Sequence, residues 1–201
     1  MKSKGCLIGG GIFAAIIGIA LVFVFWGISN YNALIPKDEN VKNKWSKVES
    51  AYQRRSDLIP NLVNTVKGYA NFEKETLTAV IDARAKATQM TVDPSKLTPE
   101  TMAQFQQNQD GISSALGRLM VSVEKYPDLK ANQNFLALQD QIEGTENRIK
   151  IERDDFNDAV NEFNVEVRRF PTNIIAGFMG FTEKGNFKAA VGSENAPKVE
   201  F

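Results

Sequence analysis

The chain has 201 residues, 24 of them Lys or Arg and 24 Asp or Glu, so it carries no net charge and lacks the basic excess that nucleic-acid recognition needs. It contains no histidine and one cysteine, Cys6, which removes Ser-His-Asp and Cys-His hydrolases, histidine-containing metal sites, intramolecular disulfides and Cys-rich zinc sites by inventory. One or two domains held by packing alone remain.

Residues 6–28, CLIGGGIFAAIIGIALVFVFWGI, include no charge. As a helix rising about 1.5 Å per residue they cover roughly 34 Å, enough to cross a bilayer core. A cleaved signal peptide is the rival reading, but the run is longer than the ~7–15 apolar residues usual there, and no A-x-A site follows Trp26, Gly27 and Ile28. The expectation is a retained single-pass anchor over residues 1–29. Cys6 precedes the apolar stretch, the wrong order for a lipoprotein cysteine. Lys2 and Lys4 flank one end and Lys37, Lys42, Lys44 and Lys47 the other, so the positive-inside rule selects no orientation. Gly10, Ala14 and Gly18 recur every four residues, a small-residue face through which two spans can approach closely.

Beyond the anchor, apolar positions recur at steps of three and four, the mark of helices packed along a narrow seam. Val41, Trp45, Val48, Tyr52, Ile59, Leu62, Val66, Tyr69, Leu77, Val80 and Ile81 form the first seam. It predicts a helix starting near Asp38, after Pro36, and running to about Met90. Pro60 lies inside it and cannot donate to the carbonyl four residues back, so a kink or short break near Leu58 and Ile59 is expected, or two helices meeting at Pro60.

The segment TVDPSKLTP reads as a loop ending with Thr98 as cap and Pro99 at the first helical position. The second helix runs to about Lys125, with Phe105, Gln109, Ile112, Leu116, Leu119, Val123 and Tyr126 on its seam, and Gly111 and Gly117 placed to allow close approach; Pro127 ends it. A third helix over residues 128–170 carries Phe135, Leu138, Ile142, Thr145, Ile149, Glu152, Phe156, Phe163, Val167 and Phe170 on one stripe, and Pro171 stops it. TNIIAGFMGF is too short to span a membrane and predicts a short fourth helix. Its Phe178, Met179 and Phe181 suit closure of the bundle, the favoured reading, or contact with lipid or a partner. The fold expected is all-α: an N-terminal transmembrane helix, then an elongated antiparallel bundle of three long helices with a short C-terminal helix over residues 30–187, and a mobile tail over residues 188–201.

Several stretches together carry a family resemblance. Tyr31, Asn32 and Leu34 follow the anchor, then Trp45, Val48 and the run QRRSDLIPNLV from Gln53 to Val63, then VKGYA and Glu73. Ala83-Arg84-Ala85, EKYPDLKA with Asn134-Phe135, Glu146-Asn147, Arg153, Phe156-Asn157, Asn161, Phe163-Asn164 and Phe170-Pro171 come in the same order. On these residues the chain resembles the LemA family of bacterial membrane proteins over nearly its full length. The resemblance implies a single-pass anchor and an elongated helical domain; it implies no reaction. Phe156 stands where the family often has tyrosine.

Arg54, Arg55, Asp57, Pro60, Asn61, Arg84, Glu146, Asn147, Arg153, Asn157, Asn161 and Asn164 are the candidate site residues. Asn157, Asn161 and Asn164 follow one another at steps of four and three, a polar stripe beside the aromatic one. The favoured reading is structural: polar groups that set which helix packs on which, because a buried polar group left unpaired is costly. The functional reading has the stripe bind a peptide, a lipid head group or another copy of the chain. The acidic pairs Asp38 with Glu39 and Asp154 with Asp155 point about 100° apart on a helix and read as solvated charge. No catalytic, cofactor or metal residues are assigned: a di-iron bundle needs Glu-x-x-His ligands, and no Walker loop, Rossmann fingerprint, G-x-S-x-G or calcium loop is present.

The expectation is a non-enzymatic scaffold at the bacterial cytoplasmic membrane, with the bilayer and further copies of itself as partners and no nucleic acid. The alternative is an adaptor that recruits another membrane protein, a protease or a sensor, through the Pro60 region or the end near Phe178.

Overall fold

The computed structural model describes residues 2–69 and 72–189, with side chains from residue 11 onward. Among the described residues all regular structure is helical: α1 (Lys2–Lys67), α2 (Lys74–Thr88), α3 (Pro99–Val123), α4 (Pro127–Lys130), α5 (Gln133–Arg168) and α6 (Thr172–Met179). The tail from Ala190 onward lies outside the described residues, as do the surroundings of Cys6 and Gly10.

The first long helix departs from expectation at both ends. It does not start near Asp38; the apolar run and the first seam form one helix that passes through Pro36 and Pro60 without a break. Both prolines are exposed, so neither ring is forced into the core. The interruption falls instead after Lys67. Gly68, a poor helix former, lies in a turn there, in which the Tyr69 N–H donates to the Val66 carbonyl at 3.1 Å. The seam resumes on α2, where Leu77 and Val80 are buried and Ile81 is exposed.

α3 starts as its sequence predicts: Pro99 occupies the first turn, and the Thr98 hydroxyl accepts from the Thr101 N–H at 3.2 Å. The third long helix starts at Gln133 and not at Asp128. Asp128 belongs to the single turn α4, and the Asn132 side chain caps a new helix by accepting from the Phe135 N–H at 3.0 Å.

Contacts divide the chain into two compact units. One comprises Val41–Asn161 and Lys184–Phe201. Its core has an apolar cluster around Leu62, Val66, Val80, Leu119, Leu129 and Phe135. It also has an aromatic cluster in which Trp45 meets Phe105 at 5.0 Å and Phe156 at 5.5 Å between ring centres. Gly111 and Gly117 do not mediate close approach; a Cβ on either would meet nothing within 4 Å.

The other unit comprises Met1–Asn40 and Glu162–Glu183. Here α1 carries the stretch that is long and apolar enough to cross a membrane, and every residue from 11 to 25 is exposed. α6 packs on α1 through buried Thr172 and Ala176; the Thr172 hydroxyl bonds the Asn30 amide oxygen at 3.1 Å. Gly180 ends α6 in the left-handed region, φ 77°, where the Phe181 N–H returns to the Ala176 carbonyl at 2.9 Å. Phe181 is turned inward against Tyr31 and Phe163. Closure therefore rests on Thr172, Ala176 and Phe181, whereas Phe178 and Met179 face outward. Phe170 is also exposed, because α5 ends two residues earlier and the stripe ends with it.

Candidate functional site

Three polar constellations occupy the unit built from Val41–Asn161 and Lys184–Phe201, and each accounts for residues singled out in the sequence. The first surrounds Arg55, which is 1% exposed although it lies on a helix rich in solvated charge. One terminal nitrogen donates to Glu146 at 2.7 Å and to the Ser113 hydroxyl at 2.8 Å. The other donates to the Gln109 backbone and side-chain oxygens at 3.1 and 2.8 Å. Its guanidinium also lies 5.0 Å from the Tyr52 ring centre. One cation thus joins α1, α3 and α5, with Glu146 as counter-charge. Burial pushes the Tyr52 hydroxyl above its ordinary pKa, so it stays neutral beside that cation at physiological pH.

The second constellation explains how α1 crosses Pro60. A proline at position 60 leaves the carbonyl of residue 56 without its helical donor. Arg84 Nε, on α2, donates to that Ser56 carbonyl at 2.9 Å. An arginine side chain supplies the hydrogen bond that the proline removes, and in doing so ties α2 to α1. Asn61 is exposed one residue further on, and Asp57 accepts from Gln53 at 2.8 Å on the outer face. Arg54 and Asn147 are also exposed.

The third constellation is a clamp on the extended segment after α6. Asn157 grips the backbone of Phe187 from both sides: its side-chain oxygen accepts from the Phe187 N–H at 2.9 Å, and its amide nitrogen donates to the Phe187 carbonyl at 3.1 Å. Gln106, on α3, does the same to Lys188, at 3.0 and 2.9 Å. Asn161 accepts from the Asn186 amide at 2.8 Å. Arg153 donates to the Lys188 carbonyl at 3.2 Å and lies 4.6 Å over the Phe187 ring. The Phe187 side chain enters the aromatic cluster, 5.6 Å from Phe156. Gly185 approaches so closely that a Cβ would stand 2.7 Å from Pro99 Cα, and its N–H donates to the Leu97 carbonyl at 2.7 Å.

Arg153, Asn157 and Asn161 therefore hold the extended segment at residues 186–188, while Asn164 of the same stripe is buried in the other unit. Gln106, Gly185 and Phe187 also belong to the clamp, and no sequence spacing marks Gln106 as a partner of that segment. A glycine and an aromatic two residues apart past the last helix, Gly185 and Phe187, are the signal the sequence offers. On the apolar stretch of α1, Ala14 and Gly18 are exposed, and nothing lies within 4 Å of where a Cβ on Gly18 would be. Glu146 pairs with Arg55 and Arg153 with Phe187, and both also line one open hollow of about 400 Å³ beside Lys150, Asp154 and Asn157. Among the described residues no group of three or more Asp, Glu or Cys is placed to hold a metal ion.

A family model described as the LemA family matches residues 44–201. The chain belongs to the LemA family. Among curated relatives, Protein LemA of Metamycoplasma hominis is 29% identical over 169 residues, covering 84% of this chain and 74% of the relative. Magnetosome protein MamQ of Magnetospirillum gryphiswaldense is 28% identical over 192 residues, covering 85% of this chain and 69% of the relative. A MamQ of Paramagnetospirillum magneticum is 27% identical over 189 residues, covering 84% and 68%. These names are not those of enzymes. The run around Arg55 and Pro60, the Arg84 donor and the clamp residues all lie inside the family match. The LemA chain is a helical protein whose first helix can cross a membrane.

Proposed function

We propose that this member of the LemA family is a non-enzymatic scaffold, anchored in the bacterial cytoplasmic membrane by residues 1–29, that associates with further copies of itself. The observation that carries the reading is the run from residue 11 to 25, apolar and exposed at every position. Left in water, such a surface would aggregate; lipid or other copies of the helix must cover it. The open face at Ala14 and Gly18 supports self-association. The polar constellations support a non-enzymatic role, because each spends its hydrogen bonds on the protein's own helices and backbone.

The test is the mass of the full-length protein in mild detergent, by light scattering with the micelle subtracted. The expected outcome is a defined oligomer that Gly18→Leu weakens. A monomer would overturn the scaffold and favour the adaptor. The adaptor reading is supported by a hollow of about 250 Å³ beside exposed Pro60, lined by Ile59, Val63, Ile81 and Arg84 on the outside of α1 and α2.

A further inference from the structure

We propose that α6 is a second membrane contact: its outer face, Ile174, Phe178 and Met179, lies in the lipid of the bilayer that α1 crosses. The inference rests on the anchored reading above and adds a surface to it. α6 is divided cleanly. Thr172 and Ala176 are buried, while Phe178 is 85% exposed and Ile174 and Met179 about half exposed. Eight residues cannot span a bilayer, but about two amphipathic turns can lie in its interface with the apolar side down.

Continuity with the anchor decides the occupant. The Ile175 side chain comes within 3.5 Å of where a Cβ on Gly27 would be, so α6 meets α1 at the end of its apolar run. A hollow of about 400 Å³ between them is lined by Phe23, Val24, Ile28, Tyr31 and Met179 and is almost wholly apolar. One greasy surface thus passes from α1 onto α6 without a polar boundary. Trp26 and Tyr31 bracket the junction, and such residues collect where hydrocarbon meets water. Arg168 and Arg169, exposed just before α6, pair with Glu183 and Glu166, so the cations at its entry are neutralised locally. Insertion therefore depends on apolar area and not on anionic lipid.

The experiment uses the full-length protein in phosphatidylcholine liposomes, with Cys6→Ala as background and a nitroxide label at one introduced cysteine. Phe178→Cys reports on α6 and Val121→Cys on an exposed site of the other unit. Ile16→Cys reports on the span; it lies about 16 Å along the helix from Gly27, near the bilayer centre. Collisions with oxygen, which concentrates in lipid, are compared with those of a water-soluble nickel complex. The expected result is an oxygen-to-nickel ratio several-fold higher at 178 than at 121, approaching that at 16. A label at 178 open to nickel while 16 is shielded would overturn the α6 proposal and leave the anchor standing. One shielded from both reagents and immobilised would mean a protein partner covers α6, which also overturns it. Nickel access at 16 would remove the anchor, and the proposal with it.

Discussion

One helix, α1, is built for two solvents. In its first part, residues 11–25 are apolar without period and exposed on all sides; further along, Val41, Trp45, Val48, Tyr52, Ile59, Leu62 and Val66 are buried while the positions between them carry charge. Periodicity in this chain marks where water has to be excluded from one side only. Where the surroundings are apolar all round, there is no inside for a seam to face. Unbroken hydrophobicity marks the first part and the spacing of apolar residues marks the second.

The comparison breaks most readily at the seam. Trp45→Ala and Phe156→Ala each remove a fully buried ring and are expected to cost about 3–5 kcal/mol in thermal or denaturant unfolding. Phe23→Ala, equally apolar but exposed in the anchor, should stay within about 0.5 kcal/mol in the same detergent measurement. Near-neutral seam variants would mean that the helix faces are wrongly assigned. Next comes the buried cation. Glu146→Ala strands Arg55 without its counter-charge and should cost about 2–3 kcal/mol in chemical unfolding. Arg55→Met combined with Glu146→Ala should recover part of that loss, since the penalty lies in the unpaired charge.

A smaller effect sharpens the account of Pro60. Arg84→Met should cost about 1–2 kcal/mol in the natural chain, where the Ser56 carbonyl depends on it. With Pro60→Ala the helix regains its own N–H, and Arg84→Met should then cost less; a double-mutant cycle with no coupling would refute the replacement. The smallest effect concerns pH. Hydrogen bonding to Lys44 holds the Asp155 carboxyl below its ordinary value, and hydrogen bonding to Lys125 does the same for Glu73. A lowered folded pKa stabilises above the unfolded value, about 4, and that contribution is lost as pH falls through the folded one. Asp155→Asn should therefore cost more stability at pH 7 than at pH 3 in urea titrations, and added salt should narrow the gap, because the pair lies at the surface.

The seams were legible because helical spacing is a local property: Val41 through Val66 and Phe105 through Val123 could be assigned to buried faces from their steps alone. The break expected at Pro60 is absent because its remedy is not local. The rule that proline breaks a helix assumes that the freed carbonyl goes unpaired, and Arg84 donates to it from 28 residues along the chain. Arg55 is one of many charges on its helix in the sequence, and its burial depends on three partners from α3 and α5 that no spacing reveals. In the sequence Asn157 and Asn161 look like helix-packing groups, because the segment they hold has no periodicity. An extended stretch fixed by side-chain amides leaves no repeating pattern, only a glycine and a phenylalanine in the right order.

Phe187 follows every long helix in the sequence, yet its ring belongs to the same cluster as Trp45. The chain is made from the anchor onward, so α1, α3 and α5 all exist before the residue that completes their aromatic core. Until then the Asn157 and Gln106 amides have no backbone to grip, and the cluster around Trp45 is short one ring. A nascent chain thus holds α1, α3 and α5 with this core still open, and Phe187 closes it.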